Sequence, residues 1–131
     1  MAQIITGLMV MHSKNVMHRD IKNENIFLSA GDVIKLGDFG ISRELSPDKG
    51  FLTTYCGTPY FMAPEIARGS QYDIKADVWS LGCSLYQMAT LQIPFDANNL
   101  ETLVRVICNK EIDPLPNHLD PKIKMMVYSM L

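Results

Sequence analysis

The sequence predicts a mainly helical fold that carries one small β-hairpin. Three observations predict it. Residues 73–91 are apolar on nearly every side of a helix, the pattern of a buried element. Apolar residues recur at helical spacing near the start of the chain, from residue 100 and after residue 120. Two short apolar runs flank the turn-forming Ser29-Ala30-Gly31-Asp32. With 131 residues, 47% hydrophobic and 20% charged, the composition is that of one globular domain or part of a larger one.

The elements follow in chain order. Ile4, Leu8 and Met11 share one face, with Ile5 beside them, so an amphipathic helix is expected to close near Lys14-Asn15. Ile26–Leu28 and Val33–Leu36 form the hairpin. From Gly37 to Gly69 the chain reads as a long loop, punctuated by five glycines and three prolines. A long irregular stretch inside a domain is usually functional or disordered. Asp73–Leu91 is the clearest helix; Trp79 is expected in its core, and Pro94 is expected to end it. Leu100, Leu103, Val104 and Ile107 mark a second amphipathic helix to Cys108. A proline-rich connection, Asp113–Pro121, precedes a last apolar helix over Asp120–Leu131.

Twelve basic and fourteen acidic side chains give a net charge of −2, which argues for neither a nucleic-acid nor a polybasic membrane partner. No apolar run approaches the roughly 18 residues that suggest a membrane helix. Met1–Met11 lacks a basic start and a cleavage site, so it does not read as a signal peptide. Cys56, Cys83 and Cys108 are too scattered for a zinc site or a disulfide framework. Free thiols suit a reducing compartment, so a cytoplasmic location is expected, with a nuclear or cytoskeletal one as variants.

The chemistry concentrates in His18-Arg19-Asp20-Ile21-Lys22-Asn23-Glu24-Asn25, where five potentially charged side chains and two amides fall within eight residues. Thirteen residues after Asn25 stands Asp38-Phe39-Gly40. The two segments frame the hairpin, so their polar groups can converge at one end of it. Asn25 and Asp38 offer the oxygen ligands that Mg²⁺ prefers. Asp20 can orient a hydroxyl or accept its proton. Lys22 offers a positive charge to a transferring phosphoryl group. These residue types together point to phosphoryl transfer from a metal-bound polyphosphate.

Four motifs in order, HRDIKNEN, GDFG, GTPYFMAPE and DVWSLG, resemble the C-terminal lobe of eukaryotic protein kinases. HSKNVMHRDIKNENIFL and LGDFGIS are most similar to the NIMA-related serine/threonine kinases. The resemblance spans essentially the whole chain and implies a partial kinase domain over residues 1–131. It implies ATP and Mg²⁺ as cofactors and protein serine or threonine hydroxyls as acceptors. By position, Asp20 becomes the catalytic base and Lys22 the residue that steadies the transferred phosphate. Asn25 and Asp38 become the Mg²⁺ ligands, and Phe27 the floor of the adenine site. Lys22 followed by Asn25 is the serine/threonine pattern, and Thr58 is the threonine that supports Asp20 and Lys22. Tyr60, with Pro64, falls in the surface that receives the substrate. Thr54 is the implied activation-loop phosphosite, with Thr53 its rival and Arg19 and Arg43 the implied phosphate clamp. His18 is read as a packed histidine bracing the loop against Phe39. The implied partners of Asp77 are the backbone groups of the His18-Arg19 turn, and that of Glu65 is an arginine beyond Leu131.

The kinase pattern also includes a Gly-rich loop, a strand lysine and a helical glutamate, none of which precedes Met1-Ala2-Gln3. The expectation is therefore a C-lobe truncated at both ends, whose N-lobe is missing and which is inactive by itself. The competing expectation is a catalytically inactive lobe that serves as a docking or interaction module. The intact Asp20, Lys22, Asn25 and Asp38 favour the enzyme.

Overall fold

Ile4 and Leu8, one turn apart, seat the first helix, α1 (Ala2–Ser13), on the core. The computed structural model describes residues 1–45, 52 and 57–131 of the chain. Met1 begins α1, and Lys14 and Asn15 close it, Asn15 with a left-handed φ of 56°. The polar Gln3 on α1 then grips the hairpin. Its amide nitrogen donates to the Asp32 carbonyl at 2.9 Å, and its amide oxygen accepts from the Ile34 N–H at 2.8 Å.

Strand β1 (Val16–Met17) follows α1, and the hairpin is β2 (Ile26–Ser29) with β3 (Val33–Leu36). Its antiparallel register runs from Ile26 opposite Leu36 to Ser29 opposite Val33. Gly31 and Asp32, both with positive φ, turn the chain between them. A second ladder departs from the expected single hairpin. Strand β4 (Arg43–Glu44) pairs antiparallel with β1, setting Val16 opposite Glu44 and Met17 opposite Arg43. The stretch expected to be one long loop also holds a 3₁₀ turn at Pro59–Phe61 and a short helix α2 (Pro64–Ala67). Elements of two to four residues carry no readable period, which is why the sequence pattern passed over them.

Helix α3 (Lys75–Thr90) is the wall shared by three apolar clusters. Leu81, Leu85 and Tyr86 join Ile4, Leu8, Ile21 and Val127. Cys83 joins Phe61, Phe95, Leu103 and Ile107. Ala76 joins Met17, Leu45 and Tyr72. The Asp73 carboxylate accepts the Lys75 N–H at 2.8 Å at its start. Its end is not set by Pro94. Leu91 adopts a left-handed φ of 61° and donates its N–H to the Gln87 carbonyl at 2.8 Å, three residues earlier than the proline. Trp79 is half-buried and stacks on Phe95 at 5.5 Å, at the margin of the core rather than inside it.

Helix α4 (Leu100–Asn109) is capped by Asn99, which accepts the Thr102 N–H at 2.9 Å, and buries Leu103 and Ile107. Helix α5 (Pro121–Met130) is capped by Asp120 and lies against α3. Gly82 lets the two approach: a Cβ there would stand 2.8 Å from the Cβ of Met130.

Candidate active site

The polar loop His18–Asn25 runs from β1 to β2, and α3 holds its backbone from beneath. Asp77, 1% exposed, accepts the N–H groups of His18 and Arg19 at 2.9 Å each. Its Oδ2 also meets His12 Nε2 at 2.8 Å. A carboxylate this deep needs several donors to replace water, and these three supply them. Between the two held amides the chain kinks, and Arg19 takes a left-handed φ of 71°. His18 is fully buried. Its Nε2 lies 2.9 Å from the Gly37 carbonyl and its Nδ1 3.3 Å from the Asp20 N–H. Those partners assign the proton to Nε2. The His18 ring also leans on Phe39, with centroids 5.1 Å apart.

On this platform four side chains meet. Lys22 Nζ lies 2.7 Å from Asp20 Oδ2 and donates to Thr58 Oγ1 at 3.0 Å. Thr58 donates in turn to Asp20 Oδ1 at 3.0 Å. The Asn25 amide nitrogen donates to both the Asp20 carbonyl, at 2.8 Å, and its carboxylate, at 3.0 Å. Burial alone would raise the Asp20 pKa. Hydrogen bonds from Lys22 and Thr58, the Lys22 charge and the Asn25 amide outweigh it, so the carboxyl sits below its ordinary 3.8. Thr58 reaches this network because Gly57, with φ of 101°, passes directly over the Arg19 carbonyl. A Cβ at Gly57 would stand 2.5 Å from that oxygen.

Asp38 flanks the same end of the hairpin. The Gly37 N–H donates to the Asn25 carbonyl at 2.9 Å, extending the β2–β3 ladder by one step toward Asp38. Asp38 has a left-handed φ of 58°, an exposed carboxylate, and one oxygen that accepts the Gly40 N–H at 3.2 Å. Among the described residues no hydrogen bond or ion pair joins Asp38 to Asp20, Lys22 or Asn25. Nor do the described residues hold a cluster of three His, Cys, Asp or Glu side chains fit for a metal. The donors available to a cation are hard oxygens. The Asn25 nitrogen is engaged with Asp20, which leaves its amide oxygen as the acceptor, and the Asp38 carboxylate is open. That set fits Mg²⁺, which takes few protein ligands and completes its shell with phosphate and water.

The remaining predicted residues are more dispersed. Phe27, 52% exposed, lies on β2 with its ring over Gly37, where a Cβ would come within 2.5 Å of it. Tyr60 is exposed on the 3₁₀ turn after Thr58. Arg19 is half-buried and Arg43 is exposed on β4. Glu65, in the first turn of α2, is half-buried and has no ion-pair partner among the described residues. Thr54, Thr53 and Cys56 lie outside the described residues. His12 was not anticipated. It continues the Ile4–Leu8 stripe by one more turn of α1, and a polar residue on an apolar stripe was the available signal.

The chain matches the protein kinase domain family over residues 1–131. It is 45% identical over 129 residues to serine/threonine-protein kinase Nek3 of Mus musculus, covering 98% of this chain and 25% of that protein. It is 49% identical over 114 residues to serine/threonine-protein kinase Nek5 of Homo sapiens, covering 86% and 16%. It is 42% identical over 130 residues to serine/threonine-protein kinase nekl-2 of Caenorhabditis elegans, covering 98% and 36%. The chain thus spans between about a sixth and about a third of the length of these relatives.

Proposed function

Because the chain belongs to the protein kinase domain family, we propose that it forms the C-lobe of a NIMA-related kinase transferring the ATP γ-phosphoryl group to protein serine or threonine hydroxyls. The observation that carries this reading is the closed network of Asp20, Lys22, Asn25 and Thr58 beside the exposed Asp38. Asp20 is held ionised by three donors, so it accepts the hydrogen bond of an incoming hydroxyl and orients its oxygen toward the phosphate. Lys22, half-exposed beside it, presents positive charge where the transferred group gathers negative charge. Asn25 and Asp38 would hold Mg²⁺, which when bound neutralises charge on the phosphates. Phe27 would pack under the adenine ring, and Thr58 and Tyr60 would face the acceptor peptide.

The rest of the reading is proposed on the same basis. An N-lobe outside these residues supplies the Gly-rich loop, the strand lysine and its glutamate, and residues 1–131 alone do not turn over. Thr54 is the activating phosphosite, clamped by Arg19 and Arg43. Glu65, half-buried and without an ion-pair partner among the described residues, is proposed to pair with an arginine from outside these residues. The proposed cellular location is the cytoplasm, with the nucleus or cytoskeleton as variants, on the strength of the scattered cysteines alone. The test is the full-length gene product with ATP, Mg²⁺ and a mixed Ser/Thr/Tyr peptide library, its products sited by mass spectrometry. Phosphoserine and phosphothreonine are expected, abolished by Asp20→Asn and by Asp38→Ala. Phosphotyrosine as the main product, or turnover indifferent to both substitutions, would overturn the reading.

A further inference from the structure

Thr58 reaches Asp20 from a tight turn whose own footing lies elsewhere. The Phe61 N–H donates to the Thr58 carbonyl at 3.1 Å and the Met62 N–H to the Pro59 carbonyl at 3.2 Å, which closes the turn. The Phe61 carbonyl then faces α3, where Ser80 Oγ donates to it at 2.8 Å. The same hydroxyl lies 3.1 Å from the Ala76 carbonyl, but it has one proton, and the shorter contact is to Phe61. Among the described residues the Phe61 carbonyl has no other partner.

Ser80 follows Asp77 by three residues, one turn further along the same face of α3. Two adjacent positions therefore hold the two halves of the site. Asp77 holds the His18–Arg19 kink, and Ser80 holds the Thr58–Phe61 turn. Ser84 shows what an ordinary serine does in this helix. It is fully buried, and among the described residues its hydroxyl bonds only the Ser80 carbonyl four residues back, at 2.9 Å. Ser80 differs by reaching outside its own helix. It also lines two small cavities of about 20 Å³ each, one reaching Asp20 and Thr58 and the other Arg19 and Asp77.

We propose that Ser80 is a positioning residue: its bond to the Phe61 carbonyl sets the Thr58–Phe61 turn against Asp20 and governs how the acceptor peptide is received at Tyr60. The proposal rests on the kinase reading for its kinetic consequence, but its structural part stands apart from it. The experiment compares Ser80→Ala, Ser80→Thr and Ser84→Ala in the full-length gene product. Amide hydrogen exchange is followed by mass spectrometry, and KM is measured separately for peptide and for ATP. Alanine favours a helix, so α3 is expected to stay intact.

Ser80→Ala is expected to speed exchange at Phe61 and Met62 about five- to tenfold, the effect of one net hydrogen bond, with residues 81–90 unchanged. Peptide KM is expected to rise by a similar factor while ATP KM holds. Ser80→Thr keeps the hydroxyl, its methyl has the adjoining cavities to enter, and it is expected to restore both readouts. Ser84→Ala is expected to match the wild type. Unchanged exchange in Ser80→Ala, or the same loss in Ser84→Ala, would overturn the proposal. So would faster exchange without a peptide KM effect in an active enzyme. A wild type without kinase activity would instead overturn the reading of function, and the exchange data would still decide whether Ser80 anchors the turn.

Discussion

At Gly57 two constraints coincide: a φ of 101°, and an Arg19 carbonyl 2.5 Å from where a Cβ would sit. The obstacle is backbone, so no side-chain rotation relieves it. Gly57→Ala is expected to cost about 2 kcal/mol or more and to lift Thr58 off Asp20, read by urea denaturation and, in the full-length gene product, by loss of the proposed kinase turnover. Asp20 makes a different prediction, in pH. Its folded pKa lies below the 3.8 of an ordinary aspartate. A depressed carboxylate contributes stability that is fully present above the unfolded pKa and is lost as pH falls through the folded one. The difference in urea midpoint between wild type and Asp20→Asn is therefore expected to be flat from pH 7 to 5 and to change only below about pH 4. A difference that varied through neutral pH would mean that another group controls the loop.

The elements meet at α3, and Asp77 is where the loop depends on it. Asp77→Ala leaves two backbone N–H groups and His12 without their acceptor. Each stranded buried group costs about 1–3 kcal/mol, so for the three a loss of at least about 3 kcal/mol is expected, read as a fall in unfolding midpoint. His12→Ala removes one donor and leaves the carboxylate with two, so a smaller loss is expected. What the sequence showed of these elements follows from their length. The sixteen residues of α3 and the ten of α4 carry a full apolar period, and the hairpin carries a turn signal. The two-residue strands β1 and β4 carry neither. The same limit applies to side chains. The motif residues of the loop and Asp77 stood out because charge there is unusual. Ser80 lies in the DVWSLG motif but carried no role there, since a serine in a helix ordinarily bonds its own backbone, and only the fold brings the Phe61 carbonyl to it.

On the scale of the whole molecule, the hairpin leaves much of both faces open. Phe27 is 52% exposed, Leu28 72% and Val33 44%, with Phe39 beyond them at 53%. Two strands alone are marginal in water, and here α1 steadies them mainly from one side. Residues 1–131 expressed alone are therefore expected to self-associate at micromolar concentration, measured by sedimentation velocity, and Leu28→Lys is expected to shift them toward monomer. A monodisperse wild-type monomer would show that this surface is better tolerated than its exposure suggests. The bonds from Asp77 to His18 and Arg19 span 59 and 58 positions of chain. Closing a loop that long costs about 3–4 kcal/mol of chain entropy before any contact in it is gained. The hairpin and the helices need only neighbours close in sequence, whereas the bed under Asp20 needs α3 to exist and to dock first. The Asp20 network is therefore expected to form late in folding, and a delay in seating α3 is expected to leave a chain with formed secondary structure and an unassembled loop.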